Sequence, residues 1–335
     1  MKIILIAALT IPVLALNVQL APAQTIKFGT LAPEGSPWYN IIRDMAEDWK
    51  ATTEGKIRFR IYPGGIAGDD PDMVRKMRVG QLHGAALTSV GLIQIAPEIQ
   101  ALQLPMMFAS YKELDYVMDR VTPNLELILE KRDFKVLFWA DAGWVHFFAQ
   151  KPVVRVEDLK PLKLFVWTND TKAVDAWKEA GYRPVPLPAT EIYTGLQSGL
   201  INAFSTTPLA ALSFQWFGLA KNMTALKWAP LIGATVISMK TWQRIPDDVK
   251  PALLESAHKA GARMMRETRN LGEEAVVVMK QHGLVVHPVP PDVRRQWEKS
   301  ARAIYPKLIG HGAPAKYVKD VEQFRNDYRT QQNRW

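Results

Sequence analysis

The stretch KIRFRIYPGG, residues 56–65, decides how the first half of the chain is interpreted. Its first seven residues alternate apolar and polar side chains, which predicts a β-strand, and the Pro-Gly-Gly that follows ends the strand. The segments around it predict strands at TIKFGTL (25–31) and GAALT (84–88) and helices at 38–52 and 70–79. Strand, helix, strand, helix, strand is the start of a doubly wound α/β sheet, in which ligands bind beyond the carboxyl ends of the strands.

A second α/β series begins near Val153, with predicted strands at 163–167, 182–186 and 203–205 and helices at 171–180 and 190–198. The β-branched segment 233–239 is expected to return to the first series. From Ile245 to His282 apolar residues recur with helical spacing, and about 36 helical residues span ~54 Å, more than one small domain. The sequence therefore predicts an α/β protein of two lobes spanned by a long helix. Domain I is expected at 24–147 plus 234–275, and domain II at 148–233 plus 276–335.

Composition limits the possible classes of function. Of the 335 residues, 48% are hydrophobic and 22% are charged, as in an ordinary globular protein, and there is no cysteine. Thiol nucleophiles, cysteine-ligated metals and disulfides are therefore excluded. The net charge is +9, but lysine and arginine are interleaved with acidic residues, so nucleic-acid binding is not expected.

The N-terminus has the pattern of a secretory signal peptide. Lys2 precedes an uncharged, mostly apolar run from Ile3 to Leu16, and Ala21-Pro22-Ala23 matches a small-residue cleavage site. The apolar run is shorter than the ~20 residues that span a bilayer, which argues against a membrane anchor. We expect cleavage after Ala23 and release of residues 24–335 as a soluble periplasmic protein.

Motifs of common catalytic sites are not found in the sequence. It has no G-x-S-x-G, H-E-x-x-H, G-x-x-x-x-G-K or G-x-G-x-x-G, and its six histidines never form an i, i+4 pair. The string Asp69-Asp70-Pro71-Asp72 suggests calcium, but it lacks the glycine and final glutamate of an EF-hand loop and is interpreted as a helix cap. We therefore expect a binding protein without catalytic residues, cofactor or metal.

Four segments, in order, resemble those of a known family. They are Tyr62-Pro63-Gly64-Gly65 with 67–70, LPMMF (104–108), EDLK (157–160) with Leu162-Lys163, and EIYTGLQSGL (191–200). Together with the signal peptide and the long helix, they resemble the DctP-type solute-binding proteins of tripartite ATP-independent periplasmic (TRAP) transporters, from Ile26 to about His287. The resemblance implies a two-lobed periplasmic binding protein fold. It also implies a receptor that closes on a small organic anion and delivers it to the TRAP permease in the membrane.

The resemblance further implies an arginine in the strand after the third segment, where its paired donors bind the ligand's carboxylate. Here that position is Phe165, within KLFVW (163–167). Ser205 and Thr206 stand where the family usually has Glu and Asn. We therefore expect an atypical site with an aromatic wall, and a ligand that is not a simple C4 dicarboxylate.

The orientation of two strands remains open at this point. In strand 163–167, alternation places Phe165 and Trp167 on the face opposite Leu164 and Val166. The two aromatic residues then either face the cleft or pack under a helix. The segment 141–148 is expected to cross between the lobes, and its pattern does not decide which of its residues face the cleft.

The candidate ligand-binding residues combine the aromatic wall with polar residues at strand ends and loops. They are Phe165, Trp167, Asn169, Trp144, His146, Phe204, Ser205, Thr206, Asp70, Thr88 and Ser36. Three further aromatic residues are expected in the core: Trp38, Tyr39 and Phe108.

Two other functions remain open from the sequence. One is an exported enzyme whose acid and base are distant in sequence, and the other is a receptor that reports its ligand to a membrane sensor. A monomer is expected. Turnover of a metabolite would indicate the enzyme, and the neighbouring genes would distinguish the sensor from the permease. Identifying the molecule that co-purifies would indicate the ligand.

Overall fold

The structure is a computed structural model that describes residues 23–168, 171–310 and 312–332. The strands are β1 (Gln24–Thr30), β2 (Ile57–Tyr62), β3 (Gly84–Thr88), β4 (Phe134–Trp144), β5 (His146–Ala149), β6 (Lys163–Trp167), β7 (Arg183–Leu187), β8 (Ala203–Thr206), β9 (Asn222–Ala225), β10 (Pro230–Ser238) and β11 (Val285–Pro288). Short 3₁₀ turns occupy 97–103, 189–191 and 216–218.

Helices connect these strands along the chain. They are α1 (Pro37–Thr52), α2 (Asp70–Arg78), α3 (Ser89–Ile95), α4 (Tyr111–Glu130), α5 (Val156–Leu159), α6 (Thr171–Glu179), α7 (Ile192–Gln197), α8 (Pro208–Ser213), α9 (Met239–Trp242), α10 (Lys250–Gln281), α11 (Pro291–Leu308) and α12 (Ala315–Gln332). The strands predicted from the sequence are confirmed to within three residues at each end.

The strands form two separate sheets. The first has the order β2-β1-β3-β10-β4, and the second has the order β11-β9-β5-β8-β6-β7. In the first sheet β1 pairs in parallel with β2 and β3, as a doubly wound start requires, while β10 is antiparallel to β3 and β4. The expected return of segment 233–239 to the first series is confirmed, because β10 lies between β3 and β4.

Two of the crossings of the chain between the sheets lie side by side. β4 belongs to the first sheet and β5 to the second, with only Val145 between them. The return crossing joins β9 to β10, and the two crossings are hydrogen bonded: Val145 N donates to Ala229 O at 2.8 Å, and Trp228 N donates to Val145 O at 2.9 Å. The predicted crossing within 141–148 is therefore confirmed.

The long helix α10 packs against both lobes. Leu253, Ala257 and Met264 are buried in the core beside the first sheet, whereas Ala275 and Met279 are buried in a core of the second. The helix has 32 residues, about 48 Å, rather than the predicted 36. It begins later than predicted because the chain forms a turn first, in which Val249 N donates to Pro246 O at 3.3 Å.

The C-terminal helix departs from the predicted division of the chain. Val318 and Val321 of α12 are buried in the core that also contains Leu114 and Val117 of α4, beside the first sheet. Residues 315–332 therefore pack on the first lobe, although 276–335 were assigned to the second. The remaining domain boundaries stay a prediction.

The proposed signal peptide lies almost wholly outside the described residues, which begin at Ala23. Among the helices that the structure describes, none combines the length and the apolar character needed to span a membrane.

Candidate functional site

A cavity lined by residues of both sheets is called the main cavity. Its volume is about 290 Å³. Its lining includes the ends of several strands together with β10, and it is defined by Thr30, Leu31, Trp38, Thr88, Asp141, Trp167, Ser205, Thr206 and 231–235. This is the position at the carboxyl ends of β1, β3, β6 and β8 where an open α/β sheet places its ligand.

The wall of the main cavity is aromatic and rich in hydroxyl groups. The aromatic residues that line it are Trp38, Phe138, Trp167, Tyr193, Phe214 and Trp216, and the hydroxyl groups come from Thr30, Thr88, Thr190, Ser205, Thr206 and Thr235. Among the described lining residues there is one carboxylate, that of Asp141, and no lysine, arginine or histidine. The cavity is suited to a molecule with an apolar body and a few polar groups.

Asp141 is held by an arginine of the long helix. Arg269 donates to Asp141 Oδ2 through Nε at 3.0 Å and Nη2 at 2.7 Å, and it binds both oxygens of Asp115 at 2.6 and 2.8 Å. The guanidinium also lies over the Tyr111 ring, 4.2 Å from its centroid. Burial raises the pKa of Asp141 above its ordinary value, and the Arg269 hydrogen bonds offset part of that rise. The cluster of two carboxylates and one guanidinium borders the cavity.

Asp69 makes a hydrogen bond between the lobes. Its Oδ1 caps α2 by accepting from Asp70 N at 2.8 Å, and its Oδ2 accepts from Ala189 N, beyond β7 of the second sheet, at 2.9 Å. Burial raises the pKa of Asp69, while the two backbone donors oppose the rise. The bond joins the loop before α2 in the first lobe to the turn after β7 in the second.

Gly65 allows the same approach of the lobes. It has a φ of +79°, and a Cβ atom at this position would lie 2.5 Å from Thr190 Cγ2. A side chain would therefore be strained by its backbone conformation and would collide with the opposite lobe. This explains the glycine in the Pro-Gly-Gly that ends β2.

Asp70 lies behind the wall of the main cavity. Its Oδ2 accepts from Thr88 N at 2.9 Å and from the Thr88 hydroxyl, whereas its Oδ1 has no hydrogen-bond partner among the described residues. Burial raises the pKa of Asp70 to about 7, and the neighbouring Asp69 adds to the rise. Asp70 therefore positions Thr88, which lines the cavity, without lining it itself.

A second cavity of about 230 Å³, called the side cavity, lies on the other side of Trp167. It is defined by Gln103, Pro105, Val145, Leu164, Phe165, Val166, Trp177, Trp228, Ile304 and Leu308, and it shares Trp167, Ser205, Thr206 and Leu231 with the main cavity. Among its described lining residues there is no charged side chain.

The predicted site residues fall into two groups. Trp167, Ser205 and Thr206 line both cavities, Thr88 lines the main cavity, and Phe165 lines the side cavity. Phe165 is only 2% exposed and packs edge-on against Trp167, with ring centroids 4.9 Å apart. The predicted alternation in β6 is found, since Leu164 and Phe165 belong to different cores.

Besides Asp70, four predicted residues line neither cavity. Phe204 is fully buried and stacks on Phe148 at 5.3 Å, and Trp144 packs against Tyr111 at 5.4 Å in the first lobe. Ser36 caps α1 by accepting from the Tyr39 backbone. These side chains are engaged in packing and helix capping.

His146 is the fourth of these residues that line neither cavity. Its Nδ1 lies 3.2 Å from Thr224 O, and burial lowers its pKa to about 4, so it carries no positive charge at neutral pH. It therefore supplies no positive charge for a carboxylate. Asn169 lies outside the described residues.

Trp38 and Asp141 are among the residues of the main cavity that the sequence analysis missed. Trp38 was expected in the core, yet it lines the cavity and its Nε1 has no partner among the described residues. Asp141 was seen only as the start of the crossing segment. The available signal was a lone carboxylate inside the apolar strand FKVLFWADAGW, because a buried charge needs a partner or a function.

Comparison with known proteins gives consistent results. The sequence profile of bacterial extracellular solute-binding protein, family 7 (DctP), matches residues 28–310. The 2,3-diketo-L-gulonate-binding periplasmic protein YiaO of Escherichia coli is 24% identical over 305 residues, which are 90% of this chain and 89% of the relative.

Solved structures share the fold. The sugar acid binding protein DctPAm of Advenella mimigardefordensis, in complex with galactonate, has a TM-score of 0.85 at 19% identity, covering 91% of this chain and 99% of that one. A TRAP periplasmic solute binding protein of Sulfurospirillum deleyianum with bound succinate has a TM-score of 0.82 at 22% identity, covering 90% and 99%. The predicted two-lobed architecture with its long helix is thereby confirmed.

Proposed function

Since the chain belongs to the bacterial extracellular solute-binding proteins of family 7 (DctP), we propose that it is the periplasmic receptor of a TRAP permease. It closes its two lobes on one small organic molecule and delivers that molecule to the membrane subunits, without chemical turnover. Relatives named as periplasmic binding proteins support this function. The inter-lobe hydrogen bond from Ala189 to Asp69 supports closure as the binding mechanism.

The ligand has an apolar or aromatic body and at most one carboxylate. The observation that carries this proposal is the lining of the main cavity, where the described residues include one carboxyl group, that of Asp141, and no lysine, arginine or histidine. A dicarboxylate in this cavity would lose its hydration without a described cation to pair with, which costs several kcal/mol. Aromatic contacts contribute about 0.5 to 1.5 kcal/mol each beyond the area that they bury.

Phe165 supports the same conclusion. It occupies the position of the family arginine, and at 2% exposure it has replaced a charge by packed apolar surface. The relative from Sulfurospirillum deleyianum holds succinate. Because that protein is only 22% identical to this chain, it shares the fold without fixing the ligand.

The test uses mature protein, residues 24–335, purified without denaturation. Mass spectrometry identifies the molecule that it retains, and we expect one with an aromatic or extended apolar body. After removal of that molecule, adding it back should reduce the radius of gyration in small-angle scattering and raise the melting temperature by mass action. Succinate and L-malate should do neither. Submicromolar binding of either dicarboxylate in calorimetry would contradict the ligand class, and formation of a product would contradict the receptor.

Export and processing form a separate part of the proposal. The Lys2 start, the apolar run and Ala21-Pro22-Ala23 support removal of the first 23 residues. Periplasmic extraction followed by N-terminal sequencing should give Gln24 as the first residue, and size-exclusion chromatography should give a monomer. Recovery of Met1 on cytoplasmic protein would contradict export.

A further inference from the structure

The aromatic residues of the main cavity come from both lobes. Trp38 lies in the first turn of α1 in the first lobe, and Trp167 ends β6 in the second. Phe214 and Trp216 follow α8 and stack on each other, with ring centroids 4.6 Å apart. Trp38 also packs against a core of the second lobe, so rings of both lobes border one cavity.

Aromatic rings distinguish between the charges of a solute. The face of an aromatic ring carries the negative part of its quadrupole, so it attracts a cation and repels an anion. The indole ring attracts cations most strongly, and three of the six aromatic residues that line the main cavity are tryptophan: Trp38, Trp167 and Trp216. The composition of the wall therefore favours a positive charge over a negative one.

The charged cluster beside the cavity has the same preference. Arg269 pairs with Asp141, which lines the main cavity, and with Asp115 on the other side. With both carboxylates ionised, the cluster carries one negative charge. A cation in the cavity would be attracted by this charge and would favour the ionised form of Asp141.

The neighbouring charges keep this sign. Burial, Asp141 and Glu273 raise the pKa of Tyr111 in the cluster, whereas Arg269 lowers it. Glu273 therefore adds to the negative potential around the cluster. The cation Lys227 lies 5.3 Å from the centroid of the Trp144 ring, but it is exposed, and solvent and salt screen an exposed charge more than a buried one.

The three charge classes of solute meet this cavity differently. An anion would lose its hydration where the described lining has no lysine, arginine or histidine to replace it. An uncharged molecule would gain nothing from the negative cluster. A quaternary ammonium group spreads its charge over alkyl groups and has no N–H that needs an acceptor. It can therefore bury apolar surface against the rings and keep a favourable interaction with the cluster.

We propose that the main cavity binds an organic cation, with an alkylated ammonium group held by the aromatic rings and by the negative charge of the Asp115–Arg269–Asp141 cluster. The inference rests on the proposed receptor function and narrows its ligand class to cationic compounds. Trp38 and Asp141 then determine specificity for the charged end of the solute.

The test uses paired probes that differ only in a nitrogen cation or a carbon atom at one position. These are choline with 3,3-dimethylbutan-1-ol, and 3-hydroxy-N,N,N-trimethylanilinium with 3-tert-butylphenol. Mature protein is stripped of retained molecules by unfolding and refolding, and binding is measured by calorimetry. We expect at least one cation to bind, and to bind at least tenfold more tightly than its uncharged partner. The molecule that native protein retains should likewise carry an alkylated ammonium group in mass spectrometry.

Substitutions then separate the charge from the packing. Asp141→Asn keeps the shape of the side chain and can still accept from Arg269, so it should weaken the cation at least fivefold and change the uncharged partner less than twofold. Its matched control is Asp119→Asn, which removes a negative charge from an exposed position of α4. The control should bind both probes like wild type.

The aromatic wall is tested in the same way. Trp38→Leu keeps an apolar side chain without the ring, so the cation should lose at least three times more affinity than its uncharged partner. Its matched control is Trp139→Leu, because Trp139 is also partly buried but lines neither cavity. This control should leave both affinities unchanged, and melting curves verify that all variants fold.

Several results would overturn the cation site. They are an uncharged partner that binds as tightly as its cation, a panel in which no cation binds, and an Asp141→Asn variant that behaves like Asp119→Asn. A retained molecule that is anionic or uncharged would overturn it as well. Failure of the receptor function is a different result, because a protein that closes in scattering on an uncharged molecule remains a receptor.

Discussion

Replacing Asp70 by asparagine should remove a specific pH dependence of stability. Asp70 is fully buried and accepts from the Thr88 backbone and hydroxyl, and its pKa in the folded protein is raised to about 7. In the unfolded chain the pKa of an aspartate is about 3.9. The folded state therefore favours the protonated carboxyl. The stabilisation from this group is fully present below pH 4 and is lost as the pH rises through 7.

The magnitude follows from the difference between the two pKa values. About three pKa units at 1.36 kcal/mol each correspond to about 4 kcal/mol of unfolding free energy. An asparagine cannot ionise, so the stability of Asp70→Asn relative to wild type should rise by about 4 kcal/mol between pH 4 and pH 8. The NH₂ group of the new asparagine lowers the stability by the same amount at both pH values, so its effect cancels in this difference. Other titrating groups are present in both proteins and cancel as well.

The assay is chemical unfolding of mature protein at several pH values, with melting temperature as a second measure. About 4 kcal/mol corresponds to roughly 8 °C for a protein of this size. The control is Asp72→Asn in the first turn of the same helix, where the side chain is 37% exposed and pairs with Arg75 at 2.9 Å. Its stability relative to wild type should vary little over this range. Parallel curves for Asp70→Asn and wild type, or a relative stability that falls with pH, would refute the reasoning.

Three other predictions concern closure, the aromatic wall and the charged cluster. Asp69→Ala removes the acceptor for Ala189 N and should weaken binding of the retained molecule about 10- to 100-fold in calorimetry, because a hydrogen bond to a charged group contributes about 1.5 to 3 kcal/mol. Phe165→Ala should lower the free energy of unfolding by about 3 to 5 kcal/mol in denaturant and should weaken ligand binding by about 1 to 3 kcal/mol. Phe165→Arg should show a rise in melting temperature with succinate, which wild type should not show. Unchanged affinity in Phe165→Ala would contradict the aromatic wall. Arg269→Met leaves Asp141 buried without its partner and should lower the free energy of unfolding by about 3 to 5 kcal/mol at pH 8. The loss should be smaller at pH 4, where Asp141 can protonate. Equal losses at both pH values would argue against this ion pair.

Local patterns predicted most of the architecture because they act within one element. Alternation placed Leu164 and Phe165 in different cores, and helical periodicity predicted a helix that reaches both lobes. The position of α12 could not be predicted in this way. Its short apolar stripe, Val318 and Val321, would fit either lobe, and only its contact with α4 decides between them.

The sequence predicted the site residues that lie at strand ends, but it did not predict those that lie in the segment that crosses between the lobes. Thr88 and Trp167 end strands of the two sheets, and both line the main cavity. Alternation could not be carried through the crossing, because Gly143 adopts a φ of +99° and the β10–β4 pairing shifts register between Pro230 and Ile232. Val145 lines the side cavity, whereas Trp144 and His146, which have the opposite parity, line neither cavity.

The charge of the whole chain does not predict the charge of the cleft. The net charge is +9, but surface charges are screened over about 8 Å at physiological ionic strength, so the solute meets the local wall. Arg269, which pairs with Asp141 of that wall, is shared between the carboxylates of Asp115 and Asp141. With both carboxylates ionised, the cluster carries one negative charge and repels an anion that approaches Asp141. Under the proposed function, this arrangement disfavours an anion beside Asp141, so the positive net charge of the chain is compatible with a solute that is not an anion.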